Sequence, residues 1–182
     1  KARFLNKDYD YSGLIMNQLS YWALQDKLEG LPADLELVSQ APEFNDATDL
    51  SQLDGAELHD NAKAYLDINC AHCHRSELTL PEPLYAGSAG GSGLQVEYNR
   101  VYEDNPGKFG TCKVPVAGGH SDYSADVVPQ APDDSYLLFR MSTNDERHRM
   151  PELGRSTVHA EGVALIRKWI EQLDAASCSP SP

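Results

Sequence analysis

The stretch NCAHCHR at residues 69–75 places two cysteines and two histidines within five consecutive positions. Cysteines at the spacing of Cys70 and Cys73 occur in three kinds of site: half of a tetrahedral zinc site, a redox-active dithiol, or a C-x-x-C-H site of covalent haem attachment. Each kind of site makes different demands on the rest of the chain. The remaining sequence therefore decides which of the three kinds of site is present. The kind of site in turn indicates the fold.

The zinc and dithiol interpretations lack the partners that they need. A structural zinc site needs a second pair of ligands at short spacing, but Cys112 and Cys178 are solitary, and His148 and His159 lie eleven positions apart. A thioredoxin-like dithiol belongs to a βαβ unit, whereas the residues that precede Cys70 have the pattern of a helix. The sequence favours neither site.

In the haem interpretation, Cys70 and Cys73 form thioether bonds to the cofactor, and the adjacent His74 is the proximal iron ligand. His72, between the two cysteines, is then a bystander. A five-residue motif also arises by chance, so this interpretation gains weight only if a second axial ligand follows downstream.

The segment RMPELGRS at 149–156 supplies the preferred second ligand, Met150. A thioether sulfur is a soft ligand that favours reduced iron, and the proline that follows it rigidifies the turn. Met141, His148 and His120 are the competing candidates. Met141 lies in a predicted short helix and is expected in the core. His148 lies in the charged stretch NDERHR, where a solvated side chain is expected.

Apolar periodicity and helix-stop residues predict a mainly α-helical chain. Helices are predicted at 12–29, from about 48 or 51 to 69, at 132–141 and at 158–173. In the first of these, Ile15, Leu19 and Trp22 would form the buried face. Gly162 lies on the buried stripe of the last helix, which predicts that another helix crosses closely there. One short strand is expected at 94–98.

These features together resemble a known family. A helix that runs into CAHCH, a methionine followed by proline far downstream, and a C-terminal helix with a tryptophan resemble a class I c-type cytochrome domain. More narrowly, four segments resemble a group of bacterial exported proteins with a C-terminal cytochrome domain of this type: YLDINCAHCHR (65–75), TCKVPVAGG (111–119), SYLLFRM (135–141) and MPELGRSTVHAEGVALIRKWI (150–170). The segment NKDYDYSGLIMNQLSYWA (6–23) is similar to what precedes the cytochrome domain in that group.

The resemblance implies a cytochrome c-like helical domain at 51–178, in which the first and last helices cross. Ala62 and Leu66 would then pack on Gly162 and Trp169. An extra N-terminal helix and extended arm is expected at 1–50, and a short tail at 179–182. The 75 residues between the predicted iron ligands exceed what compact members use, so a loop-rich insertion with little β structure is expected at about 76–131.

The resemblance implies an electron-transfer protein with one covalently bound haem c, ligated by His74 and Met150. The formal net charge of −13 disfavours nucleic acid and suits a redox partner with a basic docking surface. No stretch is apolar enough to predict a membrane span. Two alternatives stay open: a peroxidase-like haem enzyme with an accessible distal side and His120 or His148 as acid-base group, or a subunit whose N-terminal arm serves oligomeric or larger assembly.

The remaining cysteines bear on the compartment. If the cofactor uses Cys70 and Cys73, then Cys112 and Cys178 are left to form one disulfide, which would close a loop of about 66 residues and contribute roughly 4 kcal/mol in a chain-entropy model. A disulfide implies an oxidising compartment. We therefore expect a periplasmic or otherwise exported protein. Similar chains often carry more protein before this module, so Lys1 is expected to mark a cleavage site or a boundary.

Overall fold

The computed structural model describes residues 1–45, 47–75, 89–116 and 122–174. Within these ranges the chain is mainly helical, as predicted, with one small two-stranded sheet. The elements, in chain order, are helix α1 (Ala2–Leu5), strands β1 (Asp8–Tyr11) and β2 (Leu14–Asn17), and helices α2 (Gln18–Leu24), α3 (Gly55–Asn69), α4 (Tyr136–Ser142) and α5 (Ala160–Gln172). None of the helices in the described ranges has the length and apolar character needed to cross a bilayer.

The chain divides into two compact units, Lys1–Glu43 and Phe44–Pro182. The residues just after this division pack with the second unit. Phe44 and Leu50 lie against its hydrophobic core, and the Lys168 ammonium of α5 donates hydrogen bonds to the carbonyls of Leu50 and Leu53.

In the first unit, the predicted helix at 12–29 is wrong over its first turns. Strands β1 and β2 form an antiparallel hairpin, with Ser12 and Gly13 at its turn at φ 59° and 94°. The Asp10 carboxylate accepts a hydrogen bond from the Gly13 amide. Two consecutive residues at positive φ match the right-handed twist of a hairpin. Turn chemistry therefore overrides apolar periodicity at this point.

Helix α2 begins only after the hairpin, because Asn17 caps it. The Asn17 side chain accepts hydrogen bonds from the amides of Leu19 and Ser20, which satisfies two of the donors that a helix start leaves unpaired. Leu19 is 1% exposed, as expected of the predicted buried face. Ile15, on β2, is 72% exposed, which contradicts that prediction.

In the second unit, α3 packs against α5. Leu58, Ala62 and Leu66 of α3 are fully buried, and so are most of the apolar residues of α5, Leu165, Ile166, Trp169 and Ile170. Gly162 faces Tyr65 so closely that a Cβ atom at this position would overlap the tyrosine ring and hydroxyl. The predicted close crossing at Gly162 is thus confirmed, with Tyr65 of α3 as the neighbour.

The other predicted boundaries shift by a few residues. Helix α3 begins at Gly55 rather than near 48 or 51, and a 3-10 turn at Pro132–Asp134 precedes α4. The predicted strand at 94–98 is wrong. The Gln95 amide donates to the Lys108 carbonyl and the Val96 amide to the His74 carbonyl. Neither acceptor belongs to a strand. These two hydrogen bonds attach the segment to Lys108 and to His74 of the cysteine cluster.

Candidate functional site

The cysteine cluster forms a tight turn at the C-terminus of α3. The Cys70 amide donates to the Leu66 carbonyl at 2.8 Å and so completes the last helical turn. The amides of Cys73 and His74 then both donate to the Cys70 carbonyl, at 3.0 and 2.9 Å. Two short bonds to one carbonyl bring Cys70, Cys73 and His74 onto a single compact turn.

Both cysteines of this turn are free thiols. Burial raises the pKa of the Cys70 thiol to about 12, and the neighbouring Cys73 adds to the shift. Cys73 is exposed. Cys70 is therefore the less exposed of the two, and they are not joined to each other in a disulfide.

The four predicted cofactor residues, Cys70, Cys73, His74 and Met150, line one cavity. Its volume is about 280 Å³ and it opens to solvent, so it lies near the lower end of the size range of small-molecule sites. Its remaining walls are mostly apolar, with side chains that include Leu66, Leu94, Val96, Phe109, Val116, Leu137, Met141 and Leu153. The cavity lining thus combines two thiols, an imidazole and a thioether with mostly apolar side chains.

His74 is in the form that binds a metal. Burial, followed by the positive charge of Arg140, lowers the pKa of its imidazole to about 4, so the ring is neutral at pH 7. Its Nδ1 lies 2.9 Å from the Ser92 hydroxyl oxygen. Within the described residues the other ring nitrogen, Nε2, has no hydrogen bond. A half-buried neutral imidazole with one open nitrogen fits an iron of haem, and two free thiols beside it fit covalent attachment.

Another part of the cavity lining is a loop that begins at Met150, whose peptide bond to Pro151 is cis. The Met150 amide donates to the carbonyl of Arg140 at the end of α4, at 2.8 Å. The Arg155 guanidinium donates to the carbonyls of Met150 at 2.6 Å, of Arg140 at 3.1 Å and of Thr143 at 2.5 Å. A single cation therefore joins the methionine loop to the C-terminal end of α4.

Charged side chains occupy one part of the cavity wall. Lys113 and Asp126 form an ion pair at 2.8 Å, and their side chains are only 18% and 11% exposed. Burial raises the pKa of Asp126, and the hydrogen bond from Lys113 opposes that rise. Arg140 also lines the cavity, and its Nε donates to the His148 carbonyl at 2.7 Å. Glu152 lines the cavity as well, so the wall includes two cations and two carboxylates in addition to its apolar side chains.

The competing ligand candidates lie in different places. Met141 is 7% exposed within α4, as predicted for a core residue, and it also lines the cavity. The His148 ring lies 6.0 Å from the Phe139 ring, centroid to centroid, and is not among the described side chains that line the cavity. His72, the predicted bystander, is exposed at the cavity wall. His120 lies outside the described residues.

Only one of the two cysteines of the predicted disulfide, Cys112, is among the described residues. Cys112 takes part in a disulfide bond. Its predicted partner, Cys178, lies outside the described residues. The pairing of Cys112 with Cys178 therefore stays a prediction.

Sequence reasoning missed Ser92, Lys113, Asp126, Arg140 and Arg155. Ser92 lies in the glycine-rich AGSAGGSG stretch, where a surface loop was the natural expectation and nothing marks one serine among several. Arg155 is five positions after Met150, so its proximity to that residue was a usable signal. The Lys113–Asp126 pair had none, because only the fold brings the two residues together.

Within the described residues, no group of three or more His, Cys, Asp or Glu side chains is arranged to hold a metal ion. The zinc interpretation of the cysteine pair thus has no complete ligand set there. Comparison of the chain with protein-family models, with curated proteins and with solved structures finds no match.

Proposed function

We propose that this chain is a monohaem c-type cytochrome that carries single electrons. Cys70 and Cys73 would be the thioether anchors, and His74 and Met150 the axial ligands of the iron. One observation carries the proposal: residues more than seventy positions apart in the sequence, chosen for their chemistry alone, line a single cavity with mostly apolar walls. The family resemblance of the sequence points to the same function.

The two thiols account for attachment without any further reagent being consumed. Each thiol would add across a vinyl double bond of the haem, so that its sulfur would bond to one carbon and its hydrogen to the other. This addition needs both thiols reduced, as they are here. Both thiols line the cavity that the cofactor would occupy.

The haem supplies a one-electron redox couple when it is bound. His74 contributes a neutral nitrogen, and Met150 a soft sulfur that favours the reduced state. With both residues bound to the iron, no iron site would be left for a substrate. Arg155 and Arg140 hold the loop that carries Met150, and the cavity walls are mostly apolar. These are the properties of a carrier rather than of an enzyme.

Partner and compartment follow from charge and cysteine chemistry. The formal net charge of −13 favours a docking partner with a basic surface. A disulfide-bonded Cys112 suits an exported protein in an oxidising compartment such as the periplasm. The proposal includes a protein redox partner, and it leaves oligomeric or larger assembly open.

A matched pair of methionine variants tests the ligand assignment. Met150→Leu removes the sulfur with little change of volume, and Met141→Leu makes the same change at another point of the same cavity wall. We expect Met150→Leu to lower the reduction potential and remove the absorption due to iron–sulfur coordination. We expect Met141→Leu to leave both in place. Equal behaviour of the two variants would reject Met150 as the ligand.

Carbon monoxide separates the carrier from the enzymatic alternative. The reduced wild-type protein should bind it slowly or not at all, because Met150 occupies the iron, whereas Met150→Leu should bind it rapidly. Rapid binding to the wild-type protein would instead favour a haem enzyme with an open distal side.

A further inference from the structure

We propose that Ser92 is the positioning residue for the proximal ligand: its hydroxyl accepts a hydrogen bond from Nδ1–H of His74, orients the ring and sets how strongly it donates to iron. This inference rests on the proposed function. It also assigns a role to the long insertion, which supplies Ser92.

The Ser92 hydroxyl already lies within hydrogen-bond distance of the His74 ring. Ser92 Oγ lies 2.9 Å from Nδ1 of His74 and accepts a hydrogen bond from the Leu94 amide at 3.2 Å. A hydroxyl oxygen has two acceptor sites, so it can accept from the amide and from the ring at once. With Nδ1 protonated, the lone pair of the neutral ring lies on Nε2, the nitrogen that is left for the metal.

The backbone around Ser92 is built to hold this position. Gly93 has φ +74°, a backbone conformation that residues with a side chain rarely adopt. It turns the chain so that the Leu94 amide donates a hydrogen bond to Ser92 Oγ. Two residues on, the Val96 amide donates to the His74 carbonyl at 3.0 Å. The segment from Ser92 to Val96 thus holds His74 at its ring and at its backbone.

The chemical consequence is a defined direction of tuning. When a metal-bound imidazole donates a hydrogen bond from its other ring nitrogen, the ring becomes more basic and stabilises the oxidised metal. A neutral hydroxyl does so less than a carboxylate, whose bond is charge-assisted. Ser92 therefore holds the ring while lowering the potential only modestly, which suits a couple that Met150 is proposed to raise.

Three substitutions at this position test the inference. In the haem-loaded protein, Ser92→Ala should raise the reduction potential, by up to about 59 mV if the ratio of reduced to oxidised protein changes up to tenfold. Ser92→Asp should lower it, and Ser92→Thr, which keeps the hydroxyl, should stay near the wild-type value. Ser124→Ala, at an exposed serine, is the matched control and should have no effect.

A readout without haem makes the test independent of loading. In the haem-free chain, nitrogen-15 NMR of the His74 ring should show a proton on Nδ1, and Ser92→Ala should lose that preference while Ser92→Thr keeps it. If Ser92→Ala fails to retain haem and Ser92→Thr retains it, the positioning role is supported.

Two outcomes would overturn the inference: potentials of Ser92→Ala and Ser92→Asp equal to that of the wild type, or a His74 ring whose tautomer is the same in the haem-free wild type and Ser92→Ala. Failure of the proposed function looks different, because the wild-type chain would then carry no covalent haem at all.

Discussion

Arg155 and Met150 are joined by a hydrogen bond of 2.6 Å from the guanidinium Nη1 to the methionine carbonyl. The same guanidinium also donates to the carbonyls of Arg140 and Thr143 and, through Nε, to that of Thr157. Burial lowers the pKa of Arg155. One side chain therefore satisfies four backbone acceptors that the methionine loop and its surroundings would otherwise leave to water.

Arg155→Lys should loosen the loop that presents Met150. Lysine is a point charge and cannot reproduce the planar fork that reaches several carbonyls at once. Hydrogen bonds from a charged group each contribute about 1.5–3 kcal/mol. In the haem-loaded protein, losing one should therefore speed the displacement of Met150 from the iron by added imidazole about tenfold or more. Stopped-flow mixing of the oxidised protein with imidazole measures this rate. Arg147→Lys, at an exposed arginine, is the control, and identical rates in the two variants would argue against the role of Arg155.

Gly162→Ala should destabilise the crossing of α3 and α5. A methyl group at this position overlaps Tyr65, and overpacking of this kind costs about 1–3 kcal/mol. Thermal unfolding should show a midpoint several degrees below that of the wild type. Gly91→Ala is the matched control, because a Cβ there meets no atom of the described residues within 4 Å.

A second variant separates the overlap from a loss of helix flexibility. Combining Gly162→Ala with Tyr65→Ala removes the obstacle, so the double variant should lose less stability than the two single variants added together. Additive losses would mean that Tyr65 is not what the methyl group meets.

His59 should make the fold less stable at acidic pH. Its Nδ1 accepts a hydrogen bond from the Trp169 indole at 3.1 Å, which requires an unprotonated Nδ1, and burial lowers the pKa of the ring below 6.5. The unfolded chain then binds a proton that the native chain does not, so this stability is present above pH 6.5 and is lost as the pH falls through the folded pKa.

Thermal midpoints from pH 8 to pH 5 measure that contribution. The decline at acidic pH should be less steep in His59→Gln, which has no titrating ring. His72→Gln, at an exposed histidine, should follow the wild type. A His59→Gln curve parallel to the wild-type curve would contradict the prediction.

Lys113→Met should leave the Asp126 carboxylate buried without its partner. Removing one member of a buried pair costs more than removing both, up to about 3–5 kcal/mol, and the partial exposure of this pair places the expected loss at the low end of that range. The double variant with Asp126→Asn should therefore recover part of the loss. Denaturant titration of the wild type, the two single variants and the double variant completes the cycle.

The pH dependence of Lys113→Met gives a second check. An acid whose pKa is raised in the folded state binds more protons there than in the unfolded chain, so stability falls as the pH rises. Burial already raises the pKa of Asp126 in the wild type, and losing Lys113 should raise it further. The deficit of Lys113→Met should thus be smaller at pH 5 than at pH 7.

The sequence predicted the parts of the fold that depend on local pattern. Leu58, Ala62 and Leu66 recur at helical spacing, and a glycine on a buried helical stripe indicates a close neighbour. The hairpin before α2 was missed, because Ile15, Leu19 and Trp22 imitate a helical face while the turn at Ser12 and Gly13 is set by two positive φ angles.

The candidate site shows the same division. Cys70, Cys73, His74 and Met150 were predicted because each carries recognisable chemistry within a short motif, and the fold brings all four to one cavity. Ser92 was missed because a serine in a glycine-rich stretch has no pattern of its own. Its proposed role depends on long-range folding that brings Ser92 against His74.

The pigment of the purified protein tests the central claim most directly. The chain should be produced in a host that attaches haem to C-x-x-C-H sites, and its pyridine haemochrome spectrum should be recorded before and after extraction with acidified acetone. We predict a spectrum of the thioether-linked type that stays with the protein, and loss of that bound pigment in a Cys70→Ala/Cys73→Ala variant. A chain that carries zinc, no cofactor, or haem that is fully extracted would contradict the proposal.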